Sequence, residues 1–220
     1  MSEHAHRLGI VGAGKVGTTV ARAAVAAGYD VRISGSGDVD RLALTAEILA
    51  PGATPSTTAD VVAHTSTIVL AVPVHRFREL DHHLFDGRVL IDAMNYWEPI
   101  DGYDPDLATD PGRSTEVVQR WFPGARVVKS LNQLGYHEFE ALRRPPGTHD
   151  RRAQGVASDD APARAAVMEL VDRLGFDAVD VGPLAASAVL GTDGAAFGVA
   201  LSAQELDSVI GSRATSASSA

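Results

Sequence analysis

One stretch near the start, LGIVGAGKVGTTVARAAVAAGYDVRIS (residues 8–34), restricts the folds open to this chain. Leu8–Val11 is a short apolar run stopped by glycine, as expected of a buried parallel strand. From Lys15 onward Val16, Val20, Ala23, Ala24 and Ala27 recur at helical spacing, and Gly28 closes the helix. Residues 29–34 then read as a second strand. Strand, glycine turn, helix and strand in this order form the opening unit of a doubly wound α/β sheet.

The rest of the chain keeps that cadence. Asp38 is placed to cap a second helix running to Ala50, before Pro51-Gly52. A short helix near 59–64, a strand at 67–72 and a helix around 75–84 follow. Strands are expected at 88–95, 125–132, 153–157 and 177–182. Helices are expected at 114–122 and 160–175, with irregular loops at 98–113 and 143–151. Alternation of this kind calls for a mostly parallel sheet with right-handed crossovers, a single Rossmann-like domain over residues 7–205. Residues 206–220 read as a tail, partly disordered, because the end after Gly211 shows no apolar face.

Bulk properties narrow the partners. A formal net charge of −9 argues against nucleic acid and anionic membranes, which require a basic surface. No apolar run reaches the roughly 18 residues of a membrane span, and the start lacks a secretory signal pattern. The absence of cysteine removes disulfides, thiolate nucleophiles and Cys-based zinc sites, and fits a cytoplasmic location. The neighbours His82 and His83 are expected to point apart, so no metal site is expected.

In the turn Gly12-Ala13-Gly14-Lys15-Val16-Gly17 each glycine has a separate task. Gly12 permits the tight turn, Gly14 lets a pyrophosphate approach the backbone, and Gly17 lets the helix pack on the strand. The helix start offers free N–H groups and partial positive charge to phosphate. At the end of the second strand, where a carboxylate would bind the ribose of NAD, this chain has Ser34, Gly35 and Ser36. Hydroxyls and backbone N–H groups there, with Arg41 in the following helix, suit the extra phosphate of NADP. The strand ends Ala71-Val72-Pro73 and Met94-Asn95 are placed for the nicotinamide half, and Tyr96 and Trp97 add flat apolar surface. Asn132, Gly135, Tyr136 and His137 are placed to line a second reactant.

The glycine turn, DAMNYW (92–97), GARVVKSLNQLGYHEF (124–139) and LVDRLGFDAVDVGPLAAS (170–187) together resemble the NADP oxidoreductases dependent on the deazaflavin coenzyme F420. The resemblance covers roughly residues 7–200. It implies NADP and F420 as cofactors, hydride transfer between their rings and a homodimer. By the same resemblance, residues Ala13 to Val16 contact the pyrophosphate and Ser34–Ser36 the 2′-phosphate. Two departures stand out. The family commonly carries Ser-Arg or Thr-Arg at the phosphate corner, where this chain has Gly35-Ser36, so Arg41 substitutes. The family's apolar C-terminal helix is replaced by residues 189–211, VLGTDGAAFGVALSAQELDSVIG.

Hydride transfer between two rings needs alignment and exclusion of water rather than an acid–base pair, and no catalytic side chain is assigned. Two alternatives remain open: an NADPH-dependent reductase of a small C=O or C=N substrate, and a non-catalytic NADP-sensing module.

Overall fold

A computed structural model describes residues 6–217, with side chains through residue 212. Eight strands form one sheet: β1 (Arg7–Val11), β2 (Asp30–Ser34), β3 (Thr54–Pro55), β4 (Thr67–Leu70), β5 (Val89–Asp92), β6 (Arg126–Lys129), β7 (Ala153–Ala157) and β8 (Asp177–Gly182). Their order is β3-β2-β1-β4-β5-β6-β7-β8. The chain starts in the middle, winds outward to β3, then crosses to β4 and winds the other way. The order therefore reverses between β1 and β4, where an open α/β sheet splays its strand ends and leaves a crevice. Every pairing is parallel except β6 with β7, which meet at Lys129 and Ala157.

Helices cover both faces because the central strands are apolar on both faces. Leu8 and Ile10 of β1 pack with α1 (Lys15–Ala26) and α8 (Ala161–Arg173) in one buried cluster. On the other face, Val11, Ile68, Leu70 and Leu90 pack with α3 (Thr58–His64) and α6 (Ser114–Trp121). Helix α2 (Val39–Leu49) starts where Asp38 accepts a hydrogen bond from the backbone N–H of Arg41 at 2.7 Å, as its sequence position requires.

Several expected elements come out differently. The helix expected at 75–84 is two 3₁₀ segments, Val74–Glu79 and His82–Phe85, divided at Leu80-Asp81. The loop expected at 98–113 contains α4 (Glu98–Asp101), α5 (Pro105–Ala108) and a 3₁₀ turn at Pro111–Arg113. Arg78 anchors this region through Asp104 and Asp106. Burial raises the pKa of Asp104, but hydrogen bonds from Arg78 and from two backbone N–H groups outweigh it and hold the carboxyl below its ordinary value. A further helix, α7 (Tyr136–Leu142), occupies sequence read only as a strand end.

The expected tail differs most. Helix α9 runs Ala203–Ala217, and only 218–220 of that stretch lie outside the described residues. Leu206 is fully buried, and Val209 and Ile210 pack beside it on the cluster formed by β7 and β8. Residues 206, 209 and 210 share one helical face, so the stretch carries the amphipathic pattern that the low-complexity end after Gly211 obscures. No helix among the described residues is long and apolar enough to cross a membrane.

Candidate cofactor site

At the β1–β4 switch point lies a cleft of about 530 Å³. Its floor is the turn Gly12-Ala13-Gly14; one wall is the β2 corner with α2, and the other is the segment following β4. The three glycines of the turn differ in what a side chain would meet. At Gly12, with φ +118°, a Cβ would sit 2.3 Å from the carbonyl oxygen of Ala71. At Gly17 it would lie 1.8 Å from the carbonyl oxygen of Gly12. Both are backbone collisions, so these two glycines serve the fold. At Gly14 a Cβ would meet nothing within 4 Å. Packing does not require that glycine; the space above it is open.

Gly14 is also the N-cap of α1. No side chain caps this helix, and its first turn holds no acid. The first helical bond runs from the N–H of Thr18 to the carbonyl of Gly14 at 2.9 Å. The N–H groups of Lys15, Val16 and Gly17 precede that bond and are the ones a helix leaves for an external acceptor. The arrangement fits a pyrophosphate. Lys15 itself reaches away from the cleft, its ammonium 5.1 Å from the Tyr136 ring.

The β2 corner contributes Ser34, Gly35, Ser36 and Arg41 to the cleft. Ser34 is buried and receives a hydrogen bond from the Thr58 hydroxyl at 3.2 Å, whereas Ser36 and Arg41 are exposed at the mouth. No carboxylate stands at the end of β2; Asp38 is the nearest acid in sequence, and its side chain is engaged in capping α2. The corner therefore accommodates a phosphate where an acid would repel one. Residues not anticipated from the sequence line the same space: Leu42, Thr45, Thr58, Arg76, Glu79 and Leu80. Thr45 lies one helical turn beyond Arg41, a spacing that could have identified it.

Ala71, Val72 and Pro73 extend the cleft along the end of β4. Met94, Asn95, Asn132 and Gly135 do not line it; they belong to the neighbouring strand ends. Leu70, Asp92 and Lys129 are in register across β4, β5 and β6, so the residues after them emerge side by side. Here the polar chemistry is dense. Asn95 Nδ2 donates to the Asn132 carbonyl at 3.0 Å, and Asn132 Nδ2 donates to Asn95 Oδ1 at 2.9 Å and to the Leu190 carbonyl at 2.7 Å. Leu131, just before Asn132, has φ 61°, the one positive value outside glycine among the described residues. A bulky residue in the left-handed region costs on the order of 1–3 kcal/mol. That turn ends β6 early and delivers Asn132 to Asn95.

Beneath this pair lies a buried ion pair. Lys129 and Asp92 are each 1% exposed, with Nζ 3.3 Å from Oδ2. Lys129 also donates to the Met94 carbonyl, Asp92 Oδ1 accepts from the Met94 N–H at 2.9 Å, and the Thr115 hydroxyl donates to Oδ2 at 2.6 Å. Met94 is thus held by both its backbone groups. Burial pushes the Lys129 ammonium below its ordinary pKa, and the adjacent Asp92 pushes it back in part.

The C-terminal segment forms part of this region. Thr192 donates to the Tyr96 carbonyl at 3.1 Å, and the Gly198 N–H donates to the Gln133 carbonyl at 2.8 Å. Tyr96 is not surface, as the sequence suggested, but core: it is 1% exposed, and its hydroxyl bonds Gly102 and Asp104. Trp97 does remain 57% exposed. His82 and His83 do not point apart either; a 3₁₀ turn brings their rings to 4.0 Å. No group of three metal-ligating side chains occurs among the described residues.

Residues 7–96 match the family model described as NADP oxidoreductase coenzyme F420-dependent. The resemblance seen in the sequence is borne out there. Similar solved structures share the fold. A hypothetical protein of Sinorhizobium meliloti is 27% identical, with TM-score 0.78, covering 89% of this chain and 95% of its own. A protein of Arthrobacter sp. FB24, named provisionally as an F420 dependent NADP-reductase, is also 27% identical, with TM-score 0.66 and coverage of 82% and 86%. An imine reductase from Myxococcus stipitatus, solved with NADP+, shares the fold at 17% identity and TM-score 0.58; it covers 96% of this chain, which spans 62% of its length. A search of curated proteins finds no significant match. These findings support an NADP-dependent oxidoreductase with a Rossmann-like fold.

Proposed function

We propose that this chain transfers a hydride between NADP(H) and the deazaflavin coenzyme F420 or a related flavin, within one domain that extends past the expected limits of 7–205 to include helix α9 and works as a homodimer. The observation that carries the reading is one cleft joining an open helix N-terminus at Gly14 to a strand corner without a carboxylate. The match of residues 7–96 and the provisional name of the Arthrobacter relative support the F420 part.

In this reading NADP(H), when bound, supplies or accepts the hydride at its nicotinamide ring. The protein binds and aligns. Ala13, Gly14, Lys15 and Val16 give backbone to the pyrophosphate, while Gly12 makes the turn, its N–H bonded to the Ser34 carbonyl, and Gly17 keeps α1 close to β1. Ser34, Gly35, Ser36 and Arg41 receive the 2′-phosphate. Ala71, Val72 and Pro73 lie along the ribose on the nicotinamide side. Met94 and Asn95 face the nicotinamide, and Asn132 and Gly135 line the second reactant. The acid–base requirement at the reacting carbons is nil, consistent with amides and backbone at these strand ends.

The test is oxidation of NADPH, followed by absorbance, with oxidised F420, FMN, FAD and a small cyclic imine offered in parallel. The reading expects turnover with the deazaflavin at least about tenfold faster than with the imine, the factor that about 1.4 kcal/mol of extra transition-state binding supplies. Turnover of the imine alone would replace the acceptor. Tight NADPH binding without turnover of any acceptor would favour a sensing module.

A further inference from the structure

Arg76 is tied to Glu79 on the 3₁₀ segment after β4. Its Nε lies 3.1 and 3.0 Å from the two carboxylate oxygens, and Nη2 donates at 2.7 Å. Both side chains are exposed, at 44% and 58%, yet both line the cleft. Arg41 belongs to the opposite wall and makes no ion pair among the described residues. A chain of net charge −9 thus places two guanidiniums on facing walls of one cavity.

The β2 corner supplies no cation immediately after Ser34. A side chain at Gly35 would begin 3.1 Å from Ala13 Cβ and 3.2 Å from Leu42 Cδ1, so the site is tight. Positive charge must come from farther along α2 or from across the cleft. Hydrogen bonding to Arg76 holds the Glu79 carboxyl below its ordinary pKa, so the acid is charged when the cleft is empty.

We infer that Arg76 is a second specificity-determining residue for NADP(H), exchanging its Glu79 partner for the adenosine 2′-phosphate so that Arg41 and Arg76 clamp that phosphate from opposite walls. The inference rests on reading the cleft as the NADP(H) site. The exchange is favourable on simple grounds. An exposed i,i+3 ion pair contributes little, and its two long side chains are free to part. A doubly charged phosphate accepts the planar guanidinium fork more strongly than a single carboxylate does. Glu79 then acts as a tethered competitor for Arg76, and its charge, left in the cleft after the exchange, also disfavours the phosphate.

The experiment measures equilibrium binding of NADPH and NADH to the full chain and to Arg41→Ala, Arg76→Ala and Glu79→Gln. Arg76→Ala is expected to weaken NADPH by about tenfold, in line with loss of one charge-assisted hydrogen bond, and NADH by far less. Glu79→Gln is expected to tighten NADPH by about threefold through loss of an exposed competitor, leaving NADH unchanged. Equal losses for both dinucleotides in Arg76→Ala, as adenine stacking would give, or no loss at all, would overturn the inference. NADPH selectivity that falls in Arg41→Ala alone leaves the cofactor site standing and overturns only Arg76. Failure of the wild-type chain to bind NADPH would remove the cofactor site and this inference together.

Discussion

Gly14→Val is expected to abolish NADPH binding while leaving the melting temperature close to wild type. At this position φ is −78° and ψ −170°, extended backbone open to any residue, and a Cβ meets nothing within 4 Å. Placing valine at a helix N-cap costs on the order of 1 kcal/mol at most. The added methyls project into the space where a pyrophosphate would reach the first-turn N–H groups. Loss of those contacts, together with steric exclusion, should weaken binding by roughly a thousandfold, the equivalent of about 4 kcal/mol. Calorimetric titration beside a thermal melt decides the point. Unchanged affinity would remove the turn from the site. A variant that no longer folds would mean that Gly14 is structural, like Gly12 and Gly17.

Lys129→Met is expected to produce the largest loss of stability among single changes near the strand ends. It leaves the Asp92 carboxylate in a site 1% exposed with only Thr115 and the Met94 N–H as donors. Breaking a buried pair from one side costs about 3–5 kcal/mol, which for a chain of this size lowers the melting temperature by roughly 10 °C. A second change, Asp92→Asn, should restore part of that loss, because the stranded charge is then gone. A single variant that melts within about 2 °C of wild type, less than 1 kcal/mol by the same scaling, would contradict the account of this pair. Because Lys129 and Asp92 together hold both backbone groups of Met94, the Lys129 variant should also raise the KM for NADPH.

Most of the first half was legible in the sequence because its signals are local. The apolar run, the glycine turn and the helix of residues 8–34 sit in neighbouring register and need no partner to be recognised. The absent carboxylate at Ser34–Ser36 could likewise be read from one strand end. Arg76, Glu79 and Thr58 were not legible, since they join the cleft only when α3 and the 3₁₀ segment after β4 fold over it. Lys129 looked like a residue inside a strand. Its partner is 37 positions away, and strand pairing alone brings them together. Leu131 explains the shortened β6: a strand predicted to continue to 132 is ended by one left-handed residue that no propensity reports. Helix α9 was missed for another reason, because serine and alanine after Gly211 outweighed three apolar residues that share one face.

The most direct measurement is the crystal structure of the protein grown with NADP+. The pyrophosphate should lie on the N–H groups at the start of α1 above Gly14, with the 2′-phosphate within hydrogen-bonding distance of Ser36 and Arg41. A dinucleotide lodged elsewhere, or bound at the turn with the β2 corner empty of phosphate, would contradict the account.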